Sequence, residues 1–144
     1  MNICEFQEHL VDRLNKVEAL MQGNCKAFAE DTRTVYDESS QWIRNGNVAV
    51  VVVTPDLQRN GCASDGIPMD TKLLIRCMEL PPVAAENPNA IRALDAAEIV
   101  GHAIDSETIQ WESVRQTQSQ DREGNSVITA TATFNTTIYL TKGE

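Results

Sequence analysis

The chain is short of positive charge: 12 Lys and Arg stand against 21 Asp and Glu, a formal net charge of −9. Phosphate affinity needs clustered Lys and Arg, so this deficit argues against general nucleic-acid binding. The acid surplus serves either solubility or a surface that must not stick to DNA passing close by. Long apolar runs are also missing, and no stretch approaches the roughly 18 residues of a membrane span. None of the four cysteines, Cys4, Cys25, Cys62 and Cys77, forms a C-x-x-C pair, which leaves a zinc site without support. No signal peptide precedes the first helix, which begins at once and carries charges throughout; a reducing compartment and free thiols are the expectation. G-x-G-x-x-G, G-x-x-x-x-G-K-[ST] and G-x-S-x-G are all absent.

What is present fits one domain of 144 residues, with 42% apolar residues, enough to bury a core without disulfides or metals. Ile3, Phe6, Leu10, Leu14, Val17 and Met21 recur at spacings of three and four, which predicts an amphipathic helix over 3–22. Asn2 is its expected cap, and Gly23 its left-handed end. In the irregular stretch 25–46, Lys26–Glu30 and Thr34–Tyr36 read as short strand pieces, with Asp37, Ser39 and Ser40 in a loop before Trp42 and Ile43. Val48–Thr54 is a continuous β-branched run, expected to be a strand buried on both faces. Lys72–Leu80 is the next strand. The intervening 56–70 has no periodicity and reads as a long projecting hairpin loop.

Asn87 and Pro88 predict the cap and first turn of a second helix, with Ile91, Leu94, Ala97, Val100 and Ile104 on its apolar face. Over 108–116, Ile109, Trp111 and Ser113 alternate with Gln110, Glu112 and Val114. A polar turn at 118–125 leads into a long strand. There Ile128, Ala130, Ala132, Phe134, Thr136, Ile138 and Leu140 point one way, and Val127, Thr129, Thr131, Thr133, Asn135, Thr137 and Tyr139 the other. The threonine-rich face is either solvated or set against a neighbouring subunit. The order predicts an α+β domain spanning 1–144: an antiparallel (mixed) sheet of about four to five strands packed with two main helices.

One catalytic pattern presents itself. Pro55-Asp56 followed by Asp70-Thr71-Lys72 matches the PD…(D/E)xK signature of metal-dependent nucleases, in which two carboxylates hold a divalent ion and a lysine helps activate water. A hairpin would bring Asp56 and Asp70 to one end. However, the nuclease pattern sets its first aspartate at the start of a strand, whereas Asp56 is expected to follow one, and no basic patch accompanies it. Two loop carboxylates and an exposed lysine are the simpler account. His9 and His102 lack companion ligands and read as solvated surface histidines. Trp42, Trp111 and Phe134 read as core or interface anchors. No catalytic, cofactor-binding or metal-ligating residue is assigned, and no cofactor is expected.

Several segments in order carry a family resemblance: the opening helix; Lys26-Ala27-Phe28-Ala29-Glu30-Asp31 through Val35-Tyr36-Asp37-Glu38; Val48-Ala49-Val50-Val51-Val52-Val53; Leu73–Leu80; the alanine-rich helix; and the closing Thr133-Phe134-Asn135-Thr136-Thr137-Ile138-Tyr139-Leu140. In this pattern the chain resembles the tail terminator proteins of long-tailed bacteriophages and prophages, which cap the tail tube. The long 56–70 segment and the stretch before Trp42 depart from it. The resemblance implies a non-enzymatic virion protein of the phage tail, assembled in the host cytoplasm. It implies a homohexameric ring that ends tube polymerisation and takes part in head–tail joining. Its partners would be further copies of itself, the tail tube protein and a head-completion protein. DNA would pass through the lumen without specific binding, and no membrane is involved. Loop length and exposure nominate Arg59, Asn60 and Asp65, then Asp121 and Arg122, as subunit or partner contacts. Two alternatives remain: the PD-(D/E)xK-like nuclease, and a small non-enzymatic α+β binding module that forms a dimer.

Overall fold

Asn2 starts the first helix as its short polar side chain predicts. Its Oδ1 accepts the Glu5 N–H at 2.8 Å while its amide donates to Glu5 Oε1, satisfying a backbone donor the helix itself leaves open. In this computed structural model the described residues are 2–30, 35–61, 66–121 and 123–140. Helix α1 (Ile3–Leu14) buries Phe6, Leu10 and Leu14. It does not run on to residue 22 as expected; the chain breaks at 15–17 and resumes as α2 (Glu18–Gln22). Asn15 accounts for the break. Its Oδ1 accepts the Ala27 N–H at 2.8 Å and its Nδ2 donates to the Ala27 carbonyl at 3.3 Å. Gly23 is not the left-handed residue either: its φ is −87°, and Asn24 takes the positive φ of 57°. Gly23 is needed for space, because a Cβ there would sit 2.8 Å from Ile91 Cγ1.

Strand β1 (Cys25–Ala29) pairs in parallel with β2 (Val48–Val52), Cys25 opposite Val48 and Ala29 opposite Val52. Parallel neighbours need a crossover, and helix α3 (Val35–Arg44) supplies it. Val35 and Tyr36 are therefore helical rather than extended, and Ser39 lies on a helix rather than in a loop; Thr34 lies outside the described residues. Every residue of β2 is buried, as its β-branched run predicts.

The expected loop 56–70 is mostly strand. β3 (Asp56–Arg59) and β4 (Ile67–Glu79) pair antiparallel, Asp56 opposite Lys72 and Arg59 opposite Met69. β2 also pairs with β4, Val52 opposite Ile75, so β2 and β3 follow one another along the same neighbour, separated by Val53–Pro55, with a one-residue shift of register between them. Pro55, which has no N–H to give, lies in that separating segment.

Pro81 opens a short turn of helix, α4 (Pro81–Ala84). Helix α5 (Ala93–Ile104) begins later than Asn87 suggests. Glu79 Oε2 accepts the Ala93 N–H at 3.0 Å and does the capping, while Asn87 Nδ2 donates to Gly46 O and Asn47 Oδ1. Ala93, Ala96, Ala97, Val100, Gly101 and Ile104 face the sheet, whereas Leu94, expected inside, is 46% exposed.

β5 (Ile109–Gln120) and β6 (Ser126–Leu140) complete a six-stranded sheet in the order β1-β2-β4-β6-β5, with β3 against the outer half of β4. A bulge between Trp111 and Ser113 shifts the phase of β5. Val114 thereby joins Ile109 and Trp111 against the core instead of opposing them. The β6 alternation holds: Ala130, Ala132, Phe134 and Ile138 are buried while Asn135, Thr137 and Tyr139 are exposed. The fold is α+β with a mixed sheet, as expected; among the described residues it has six strands, one more than the upper expectation, and three short helices (α2, α3 and α4) besides the two main ones, α1 and α5.

Helices α1, α2 and α5 cover one face, over Val48, Val50, Val52, Leu73, Ile75, Cys77, Ala130, Ala132 and Phe134. On the other face, among the described residues, α3 and α4 cover a smaller cluster of Phe28, Ala49, Val51, Leu80 and Val127. Among the described residues no helix is long and apolar enough to cross a membrane.

Candidate assembly surfaces

The pairing of β4 with β6 sets the long axis, from Ile67 opposite Leu140 to Glu79 opposite Ile128. At about 3.3 Å per residue this ladder is roughly 40 Å long. The β3–β4 turn lies at one end of it and the β5–β6 turn at the other. The nominated contact residues are therefore not brought together: Arg59 and Asn60 stand at one end and Asp121 at the other. Asp65 and Arg122 lie outside the described residues, as does Cys62.

At the first end, Asn60 N–H donates to Pro68 O at 3.0 Å, and its amide donates to Asp70 Oδ1 at 3.2 Å. Arg59 Nε donates to Gly61 O at 3.3 Å, over a glycine whose φ of +81° lets the chain turn. Both side chains are exposed.

At the other end Asp121 faces inward on its own turn. Oδ1 accepts the Glu123 and Asn125 backbone N–H groups, each at 2.9 Å, and Oδ2 accepts from Asn125 Nδ2. Arg44 Nη2, at the end of α3, lies 3.2 Å from Glu123 Oε1 and ties the turn to the helix. The Asn125 N–H, the largest influence, helps hold the Asp121 carboxyl below its ordinary value near 3.8. A lowered folded value means that the contribution to turn order is present above the ordinary aspartate range and is lost as pH falls through the folded value. Asp121→Ala is expected to speed exchange of the Glu123 and Asn125 amides at neutral pH and to abolish their acid transition below about pH 4. Unchanged amide exchange in that variant, read by NMR, would contradict this role.

The nuclease-like residues are distributed by register. Asp56 is directly opposite Lys72, and Asp70 is opposite Gln58, so all four side chains share one exposed face. The Asp70 carboxylate is engaged by Asn60. Among the described residues no group of three or more His, Cys, Asp or Glu is placed to hold a metal ion. Burial pushes the Cys25 thiol up to about 12 and raises that of Cys77 as well. Both stay protonated at neutral pH and behave as small apolar side chains. His102 is exposed, 4.0 Å from Glu98 and edge-on to the Trp111 ring at 5.2 Å between centroids.

Two surfaces escaped the sequence reading. The first is a groove beside α3, floored by Val51, Met78 and Val127 and edged by Ser39, Thr129 and the Arg76–Glu30 pair at 3.7 Å. Ile43 of α3 also lines it. The second is the difference between the two outer strands. β1 has its outer edge occupied at Ala27 by Asn15, whereas β5 is exposed along Arg115–Gln120. Edge status follows from strand order, which no local pattern encodes.

No protein-family model matches the chain, and no curated protein matches its sequence.

Proposed function

We propose that this chain is a structural tail-assembly protein of a long-tailed bacteriophage or prophage. It would cap the tail tube as a homo-oligomeric ring of about six copies, end tube polymerisation and offer a surface for head–tail joining. The observation that carries this reading is that the sheet outruns its helical cover. β6 has 15 residues, about 50 Å of strand, whereas α5 has 12 residues, about 18 Å of helix. The ends of β6 still bury Val127 and Ile138, but the strands around them, β3 toward one end and Arg115–Gln120 of β5 toward the other, are largely exposed. They are surface available for contact. The two ends also differ, Arg59 and Asn60 at one and the Asp121–Asn125 turn tied to Arg44 at the other, and a closed ring uses two different patches on each subunit.

In this role the protein performs no catalysis and carries no cofactor. It resides in the virion tail and is assembled in the host cytoplasm. Its partners are its own copies, the tube protein and a head-completion protein, and DNA crosses the acidic lumen unbound.

The nuclease alternative has two observations on its side: Asp56 begins strand β3 instead of only following one, and it shares a face with Asp70 and Lys72. Native mass spectrometry with negative-stain imaging, with and without magnesium, separates the two. A closed ring near six copies that halts tube growth at one end is the expected result. A chain that stays monomeric or dimeric, leaves tubes uncapped and cleaves DNA with magnesium in a manner abolished by Asp70→Asn would replace the ring reading with the nuclease.

A further inference from the structure

We infer that the free edge of β5 is a self-pairing site, at which two copies of this chain join antiparallel about a two-fold axis at Gln118. The inference is independent of the ring reading, since a ring contact joins unlike patches and this contact joins like ones.

Asp121 N–H donates to Asn125 O at 3.0 Å, and the β5–β6 register runs without a further shift from Ser113–Thr133 to Gln120–Ser126. The odd-numbered residues therefore turn their backbone groups toward β6. Gln116, Gln118 and Gln120 turn their N–H and C=O groups outward. An unpaired row of this kind is a template for another strand.

The usual protections are missing from it. No Pro, Gly or Lys interrupts Ser113–Gln120, and the bulge lies at the other end of the strand, at Glu112. The opposite edge of the sheet, β1, is by contrast closed at Ala27 by both polar atoms of the Asn15 side chain.

Charge selects the occupant. Copies with a net charge of −9 repel each other unless they meet on neutral surface. Gln116–Gln120 and Ser126–Leu140 carry no charged side chain, so this ribbon is where two copies can approach. Pairing centred on Gln118 sets Gln116 opposite Gln120, Thr117 opposite Ser119 and Gln118 opposite its own equivalent. The next pair outward is Arg115 with Asp121, opposite charges on both sides of the axis. Thr–Ser and opposite-charge pairs are favourable cross-strand neighbours. Among the described residues Arg115 has no ion-pair partner within its own chain. About six backbone hydrogen bonds would close across the axis.

The test combines sedimentation equilibrium with amide exchange read by NMR. The expected result is a concentration-dependent two-fold association in which the Gln116, Gln118 and Gln120 amides become protected as concentration rises. Gln118→Pro removes an outward N–H that the monomer does not use, a substitution edge strands tolerate; it should raise the dissociation constant at least about tenfold. Arg115→Glu sets like charges opposite Asp121 and should raise it about three- to tenfold. The proposal is overturned by a chain that stays monomeric to near-millimolar concentration. It is equally overturned by association that leaves the Gln118 amide exchanging freely. A closed ring whose Gln118 amide is unprotected would preserve the ring reading and end this one. The exchange measurement needs no variant, so a poorly folding Gln118→Pro would not blunt it.

Discussion

Phe134→Ala is expected to destabilise the domain by about 3–5 kcal/mol, a large share of the roughly 5–15 kcal/mol typical of a domain. Phe134 is fully buried and among the largest such side chains here. It stands on β6 opposite Leu73 of β4 and Trp111 of β5, beneath the helical layer. Backbone on three strands holds that space open, so the cavity left behind cannot collapse far, and the cost belongs at the upper part of the range. Urea denaturation should show a lowered midpoint with little change in slope, and thermal unfolding a fall of roughly 10 °C. Thr133→Ala, one residue away on the opposite face, should stay within about 1 kcal/mol of wild type. Equal losses at 133 and 134 would contradict the division of β6 into a core face and an open face.

That division was readable from residue types alone, and so were the all-buried β2 and the Asn2 cap. In each case burial or capping is imposed within a few residues of chain, so the periodicity records it. What was missed depends on partners far away in sequence. Helix α3 includes Asp37, Ser39 and Ser40, types that favour caps and turns; it is helical because β1 and β2 run parallel and need a crossover. β3 is polar and largely exposed, so it has no alternation to announce it. One extra residue at the β5 bulge was enough to put Val114 in place of Ser113 on the core face beside Ile109 and Trp111. The contact residues fared similarly. Asp121 was legible as a turn residue, but the inward aim of its carboxylate was not. That Arg59 and Asp121 lie at opposite ends follows from strand order alone. Nothing in the sequence around Asn15 sets it apart from the other polar residues of 3–22, and its hold on β1 appears only once β1 is placed beside it.

Gly101→Ala is expected to destabilise the domain by about 1–3 kcal/mol, although helix propensity alone would favour alanine by about 0.5–1 kcal/mol. Space decides the sign. Gly101 lies within α5, and a Cβ added there would fall 2.3 Å from Trp111 Cε2 and 2.4 Å from Cζ2. The ring has little freedom to yield, because its Nε1 donates to Ser113 O at 3.2 Å and His102 meets it edge-on. Alanine therefore pushes the indole off α5, and with it the bulge that sets the phase of β5. The indole N–H resonance of Trp111 should shift, and amide protection should fall along Ile109–Val114 before it falls elsewhere. Combining Gly101→Ala with Trp111→Leu should recover part of the loss, a coupling of about 0.5–3 kcal/mol in a double-mutant cycle. A Gly101→Ala protein more stable than wild type, with its indole signal unmoved, would mean that the ring accommodates a methyl group and that α5 does not fix the attitude of β5. If the coupling is found, the contact between Gly101 and Trp111 links the buried helix layer to the exposed β5 edge: a change in the core would then alter the strand on which copies of this chain are proposed to meet.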